Sequence, residues 1–530
     1  MALPSVMKHT FSEVPQAEIP RSSFDRSHGY KTTFDAGYLV PVFLDEALPG
    51  DTFSVRMAAF ARMATPIHPL MDNAFLNTFF FSVPIRLIWN NWSKFNGAQD
   101  DPGDSTDYVV PTMTSTAVTG YSVGSLHDYF GIPTGVPDLE HSSLFHRAYN
   151  LIWNEWFRDQ NLQDSVVVDK DDGPDNSADY VLLRRGKRHD YFTSALPWPQ
   201  KGDSVALPLG TVAPVTGIGV KTQTWTAGPA NTYETAASGV RAYAKYKETV
   251  NGTDNMLIRV EEDPDNAGFP AIFADLSAAT GATINELRQA FQIQKMLERD
   301  ARGGTRYTEI VKAHFGVTSP DARLQRPEYL GGGQSSINIT PVPQTSSTDA
   351  TTPQGNLSAY GTSSFTGHGF TASFTEHCVL IGLVCVRADL TYQQGLNRMF
   401  NRSTRYDFYW PALAHIGEQA VLNKEIYAQG TADDELVFGY QERFAEYRYK
   451  PSLITGLFRS SAAGSLDAWH LAQEFGSLPT LNSSFIVEDP PFDRVIAVPS
   501  EPHMLFDAYF SMKCARPMPV FGVPGLIDHF

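Results

Sequence analysis

The sequence predicts a mainly β protein: an eight-stranded antiparallel jelly roll, a β-sandwich whose long interstrand loops carry a few helices and one surface insertion. Three observations lead there. Pro (35), Gly (40) and aromatic residues (12%) are plentiful while charged residues make up only 19%, a balance that favours turns and extended segments over long helices. Apolar and polar positions alternate with a period of two near both ends, and no strand-helix-strand rhythm lies between them. A hydrophobic share of 42% over 530 residues supplies a real core, so the first and last strands are expected to pair across one sandwich.

Residues 1–30 read as an amino-terminal arm, polar and broken by Pro, with Lys8, His9, Arg21, Arg26 and His28. Such a segment lies along an interior surface or a neighbour, or frays. Phe34, Ala36, Tyr38, Val40, Val42 and Leu44 then share one strand face, and after the turn Leu48-Pro49-Gly50-Asp51 the positions Phe53, Val55, Met57 and Ala59 share another. Ser143 to Gln160 reads as a helix with Leu144, Ala148, Leu151, Ile152 and Trp156 on one side.

From 203 to 280 the composition shifts to Thr, Ala and Gly, the mark of an insertion; 31–202 and 281–530 make up the discontinuous core around it. The best helix opens with Thr283 and Glu286 in a capping-box spacing and stops at Gly303-Gly304. Glu298 to Gly333 threads six basic and five acidic side chains among aromatics without clear periodicity, which reads as an ordered surface for protein contact. Gly331 to Gly361, rich in Ser, Thr, Gln, Gly and Pro, reads as a flexible or extended loop. Phe374 to Val386 is apolar on both faces and reads as an interior strand. Ser465 to Phe475 reads as a short helix. The clearest strand is the last, with Met504, Phe506, Ala508, Phe510, Met512 and Cys514 on its apolar face.

The chain lacks G-x-x-x-x-G-K-[ST], H-E-x-x-H and C-x-x-C, the commonest local marks of NTPases and zinc sites. The triplet Gly367-His368-Gly369 has no strand-to-helix context and reads as an ordinary turn. Asp169, Asp171 and Asp175 stand in an acidic run that could gather oxygens around a calcium ion, although a solvated acidic loop has the same composition. Arg184, Arg185, Lys187 and Arg188 precede Tyr191 and Phe192, an order compatible with DNA backbone contact plus base stacking, or with charge pairing between subunits.

Of the three cysteines, Cys378 and Cys385 are seven apart in one strand and point to opposite faces, which disfavours a disulfide between them. No basic-then-apolar leader opens the sequence, and the longest apolar run, Val379 to Val386, is too short to span a bilayer. The expected compartment is a reducing cytosol.

Several long blocks stand in one order along the chain: AYNLIWNEWFRDQNLQDSV from Ala148, HDYFTSALPWPQKG from His189, VRADLTYQQG from Val386, FGYQERFAEYRYKPS from Phe438, and the final RPMPVFGVPGLIDHF. With them and the segment from Glu298, the chain resembles, nearly end to end, the major capsid proteins of the Microviridae, small icosahedral single-stranded DNA bacteriophages, in the gokushovirus branch. The resemblance implies the virus jelly roll and a structural, non-enzymatic role. The shell would be a T=1 icosahedron of about sixty copies grouped in pentamers around a circular single-stranded DNA genome. It also implies assembly in the host bacterial cytoplasm with scaffolding and pilot or minor virion proteins, without membrane insertion. The insertion would be an outer protrusion at three-fold axes, facing a host surface receptor.

At −17 per chain, such a shell would carry a formal charge of roughly −1000, which opposes packing a polyanion. The resemblance therefore implies a small, very basic internal DNA-binding protein. Expected subunit-interface residues are Arg299, Arg302, Arg306, Tyr307, Arg323, Arg326 and Tyr329 on the charged segment, Trp153 and Trp156 on the first helix, and Tyr447 with Arg448 between Phe438 and Ser452. A different class, a jelly-roll carbohydrate-binding protein or glycosidase, would instead use the Trp residues for sugar stacking and need two carboxyl groups across a cleft.

Overall fold

The computed structural model describes residues 20–205, 284–348, 350 and 353–522, with short strand segments between 215 and 274. It is mainly β, and its large sheets are antiparallel. Ten strands build them: β1 (Ser22–Asp25), β2 (His28–Phe34), β3 (Val40–Ala47), β4 (Thr52–Met63), β5 (Ala74–Pro84), β6 (Glu328–Ser336), β7 (Asn338–Pro343), β8 (Leu357–Ser373), β9 (Cys378–Ala388) and β10 (Met504–Arg516). A six-stranded sheet runs β1-β10-β4-β8-β7, with β2 also on β10; a four-stranded sheet runs β6-β5-β9-β3. The two ends of the chain do meet, because β10 pairs with β2 on one side and β4 on the other.

Strict alternation decides the six-stranded sheet. Along β10 every second residue from Met504 to Cys514 is buried, and β4 repeats the pattern from Phe53 to Met63. Their inward faces meet Phe43, Phe80, Leu380 and Val384 of the other sheet in one core cluster, and Phe43 lies 5.2 Å from Phe510, ring centroid to centroid. Each such large side chain fully removed from water contributes roughly 1.5–3 kcal/mol.

Strand β9 has no polar face because both of its faces are covered. Cys378, Leu380, Val384 and Val386 enter the sandwich core, while Val379, Ile381, Leu383 and Cys385 enter a second cluster with Trp89, Trp153 and the helix α1 (Leu144–Ile152). The two cysteines thus lie in opposite clusters, and all three cysteines are free and buried.

Several expectations need correction. The alternation from Phe34 to Leu44 is not one strand: β2 and β3 belong to different sheets, joined by a bend at Gly37. Gly37 has φ 85°, and a Cβ there would stand 2.2 Å from the Glu488 carbonyl oxygen, so only glycine lets the chain cross between sheets. The helix expected to reach Gln160 keeps α-geometry only to Ile152, then widens into a π turn at Trp153–Phe157 and becomes extended at Arg158.

The charged segment from Glu298 is more regular than its composition suggests. It holds the end of α2 (Ile284–Arg302), then α3 (Tyr307–Phe315), a short turn of helix at Asp321–Leu324, and β6. Glu309 accepts from the Arg306 backbone N–H to start α3, and Gly316 closes it at φ 70°. Thr283, the expected capping residue of α2, lies outside the described residues.

Gly331 to Gly361 is largely strand rather than loop, because β7 pairs with β8 and β6 with β5. The Gly367-His368-Gly369 triplet is neither a turn nor a phosphate loop; it lies inside β8, where Gly367 (φ 93°) sits at a bulge against β4. The helix expected over 465–475 reduces to one 3₁₀ turn at Asp467–Trp469. Arg494 Nη2 donates to the carbonyls of His470 and Ala472, both at 2.9 Å, which holds that stretch extended.

By compactness the chain divides into two units, Met1–Pro199 with Gly303–Phe530, and Gln200–Arg302. The second contains α2 and three short antiparallel ladders: Val215–Thr216 with Phe273–Ala274, Ile218–Val220 with Ile258–Val260, and Thr249–Asn251 with Asp254–Met256. The remainder of the expected insertion lies outside the described residues.

Candidate functional site

Residues far apart in sequence converge on a cleft of about 690 Å³ between the π turn after α1, the 185–189 loop and the start of α3. Its aromatic wall is Phe79 and Phe81 of β5 with Trp156, Phe157 and Tyr329. The π turn places Trp156 so that its indole N–H donates to the Pro327 carbonyl (2.8 Å) while Arg326 stacks 4.1 Å above the ring centroid. Phe81 packs on both Trp156 (5.5 Å) and Tyr329 (5.6 Å).

Arg306 frames the cleft. It donates to the Glu155 carboxylate (2.7 Å), the Glu309 carboxylate (2.9 Å) and the Asn154 and Glu155 carbonyls (3.3 and 2.5 Å). Arg158, Arg185, Lys187 and Arg188 line the other side. The Arg158 Nε and Arg185 Nη1 atoms are buried with no hydrogen-bond partner, and burial together with Arg306 pulls the Arg158 guanidinium below its usual pKa. Five cations against Glu155, Asp159 and Glu309 make this a positive recess in an acidic chain.

Thus Arg306, Trp156 and Tyr329, expected at subunit interfaces, meet Arg185, Lys187 and Arg188, expected near DNA, in one place. Other candidates lie elsewhere. Arg184 pairs with Asp489 (2.6 Å), donates to the Glu488 carbonyl (3.2 Å) and stacks on Tyr38 (4.3 Å). Lys187 has its ammonium 4.6 Å from the Phe485 ring centroid, and burial lowers its pKa; Arg188 is exposed.

The base-stacking idea for Tyr191 and Phe192 fails, because both rings are buried in a third apolar cluster and the Tyr191 hydroxyl donates to Glu425 (2.8 Å). Trp153 is likewise buried, its indole N–H donating to the Arg184 carbonyl (2.8 Å), so it packs within the subunit.

Tyr307 is exposed, Arg323 is exposed and paired with Glu328 (2.6 Å), and Arg299 and Arg302 occupy the last turn of α2. Tyr447 and Arg448 are exposed; Arg402 stacks on the first (4.6 Å) and Glu442 pairs with the second.

The calcium reading is also corrected. Asp175 is buried and already spent on Arg147, which donates from Nε (2.7 Å) and Nη2, and on the Tyr180 hydroxyl (2.7 Å). Burial pushes the Asp175 pKa up, but those hydrogen bonds outweigh it and leave the carboxyl below its usual value. Asp171 points to solvent, with one oxygen 3.5 Å from Arg147, and Asp169 is partly buried. Among the described residues no group of three His, Cys, Asp or Glu is arranged to hold a metal.

Sequence reasoning missed the buried polar groups that organise the loops. Arg147, fully buried on α1, also donates to the carbonyls of Ile88 (3.1 Å) and Asp171 (2.9 Å) and so ties three segments together. Arg398 bonds the buried Glu425 (2.8 Å). His127, His141 and His146 form a cluster with ring centroids 4.7 to 6.2 Å apart, where Tyr121 stacks on His127 at 3.8 Å and its hydroxyl meets His141 Nε2 at 2.8 Å. An arginine on an otherwise apolar helix face was the one visible signal, at Arg147.

These residues build intramolecular frames and adhesive surfaces, and the cleft's carboxylates are held by a guanidinium and backbone groups rather than set across open space for acid-base work. Compared with known families, residues 12–526 match the model of the capsid protein (F protein) family of phages.

The chain belongs to this capsid protein family.

Relatives in the family include capsid protein VP1 of Bdellovibrio phage phiMH2K, 50% identical over 99% of this chain and 98% of the relative. Capsid protein VP1 of Chlamydia phage 1 is 47% identical over 99% and 98%, and that of Spiroplasma virus 4 is 37% identical over 98% and 97%. The chain is a structural capsid protein of a Microviridae-type virion and not an enzyme, which removes the glycosidase alternative. No helix among the described residues is long and apolar enough to cross a membrane.

Proposed function

We propose that the chain is the subunit of a T=1 shell of about sixty copies, grouped in pentamers, that encloses a circular single-stranded DNA genome. Capsid family membership across residues 12–526 carries this reading. An eight-stranded virus jelly roll is supported by the strand orders, β2-β10-β4-β8 against β3-β9-β5-β6, in which sequence neighbours such as β2 and β3, or β4 and β5, lie in opposite sheets.

Arg299, Arg302, Arg306, Tyr307, Arg323, Arg326, Tyr329, Trp156, Tyr447 and Arg448 are read as interface or interface-shaping residues. Many modest contacts repeated around closed symmetry give the shell its stability. Arg188, exposed at the positive cleft, is the member of the basic run best placed to meet packaged DNA. At −17 per chain the shell needs a small, very basic internal protein beside the genome, with scaffolding and minor virion proteins during assembly in the bacterial cytoplasm. Residues 203–280 form the outward protrusion toward a host surface receptor.

Sedimentation and electron microscopy of the purified full chain test the reading. Pentamers near five times 58.6 kDa, or closed shells, are expected; a monomer that stays unassembled beside its own phage's virion proteins overturns it.

A further inference from the structure

Five aromatic side chains within eleven residues, Phe400, Tyr406, Phe408, Tyr409 and Trp410, stand in solvent, from 43% exposed at Trp410 to 76% at Phe400. Ile416 and Tyr447 are exposed as well, and Tyr409 joins the two loops by ring contacts with Phe444 (5.3 Å) and Tyr447 (6.2 Å). At ~200 Å² per large side chain and about half exposure, these seven side chains present on the order of 800 Å² of apolar surface. That sum equals what one partner contributes to a standard stable interface, about 800 Å².

The rings are held in place rather than splayed at random. Arg402 stacks on Phe408 (5.2 Å) and Tyr447 (4.6 Å), and Arg405 on Trp410 (4.5 Å). Arg443 donates to the Tyr406 carbonyl (2.6 Å), and Asp407 accepts from the Thr404 backbone N–H (2.7 Å) and hydroxyl (2.9 Å) to fix the turn. Between Tyr409, Phe444 and Tyr447 lies a recess of about 300 Å³, the size of one inserted side chain and its surroundings. Aromatic rings and arginine around a recess are the composition of interface hot spots, and pre-ordering lowers the entropy lost on docking.

Charge selects the class of occupant. Arg402 pairs with Glu446 (3.4 Å) and lies over two rings, Arg405 lies over Trp410, and Arg443 donates to a carbonyl, so the guanidiniums are laid against rings and the patch offers apolar faces rather than a cationic track for phosphates.

We propose that the Phe400–Ile416 surface, with Tyr447, is a docking face for a second copy of this chain. This rests on the shell reading above and adds the contact residues to it. The test pairs a full-length Phe400→Ser/Tyr406→Ser variant with its parent. Both side chains are already in water, so the thermal midpoint of the unassembled subunit is expected to stay with the parent's, while the assembled fraction by sedimentation falls about tenfold or more. A variant that assembles like an assembling parent overturns this face alone; a parent that never assembles overturns the shell reading and this face with it. A photo-crosslinker placed at Phe400 keeps the claim testable if the variant misfolds. A product at twice the chain mass supports it, and crosslinking to nucleic acid or to another virion protein overturns it.

Discussion

Arg147 and Asp175 form a doubly hydrogen-bonded ion pair from which solvent is entirely excluded on both side chains. The pair sits where α1, the Ile88 turn and the aspartate loop meet, so its role is to hold loops against the sandwich rather than to bind anything. Replacing Arg147 by Met should strand a buried carboxylate and cost about 3–5 kcal/mol of subunit stability. Replacing both residues by apolar ones of similar size should recover much of that loss. Urea unfolding of the unassembled subunit measures both; a single variant within 1 kcal/mol of the parent would contradict the assignment.

Calcium should do nothing to the same loop. Both Asp175 oxygens are engaged by Arg147 and one also by Tyr180, and among the described residues no three carboxylates are gathered to receive the ion. The thermal midpoint of the subunit is expected to be the same with millimolar calcium and with a chelator, and a rise on adding calcium would reinstate the cation site.

Acid should loosen the histidine cluster before it reaches Asp175. Burial, then the neighbouring His141, pushes His127 down to about 4 from 6.5, and burial holds His146 well below 6.5. Both His146 nitrogens lack a hydrogen-bond partner, and the ring is packed by Phe130, His127, His141 and Tyr180, the last bonded to the Arg147–Asp175 pair. A folded-state pKa below the unfolded value means that the unfolded chain takes up protons first. Stability should therefore fall as pH drops from about 6.5 toward about 4, above the range where Asp175 protonates. Denaturation midpoints across that window should slope less steeply in a His146→Leu variant, and parallel slopes would rule the cluster out as the source.

Arg306 and Tyr307 separate folding from assembly. Arg306→Glu would set a third carboxylate beside Glu155 and Glu309 in a half-buried frame, and should lower subunit stability by about 1–3 kcal/mol as well as any assembly. Tyr307 is exposed, so Tyr307→Ser should leave the melt unchanged while reducing assembly if α3 faces a neighbour. Sedimentation of matched samples distinguishes the two, and unimpaired assembly of the Tyr307 variant would remove that residue from the interface.

Strands β4, β9 and β10 were legible because a sheet position reports its face directly: period two for one covered face, continuous apolarity for two. The change of sheet at Gly37 was not, since the apolar alternation runs unbroken through a bend that only a single backbone angle reveals. The same limit governs the site. Arg185, Trp156, Arg306 and Tyr329 each looked reactive toward partners, but their gathering into one cleft depends on a π turn and on β6 pairing with β5, neither of which leaves a local pattern. Arg326, expected at a subunit interface, and Arg184, expected near DNA, meet a ring and a carboxylate of their own chain that are supplied from elsewhere in the fold, which no local pattern reveals. The exposed rings at 400–410 leave no distinct mark in the sequence, because aromatics there read equally well as core.

The position of β10 between β2 and β4 also sets a timetable for the newly made chain. On a ribosome adding ~5–20 residues per second, about 440 residues separate the end of β4 from its partner Met504, so one edge of β4 stays open for tens of seconds. During that interval a long strand with a fully apolar face is available to any other nascent copy nearby. Crowded synthesis therefore risks strand exchange between chains, and escort of the half-made subunit matters most just before translation ends.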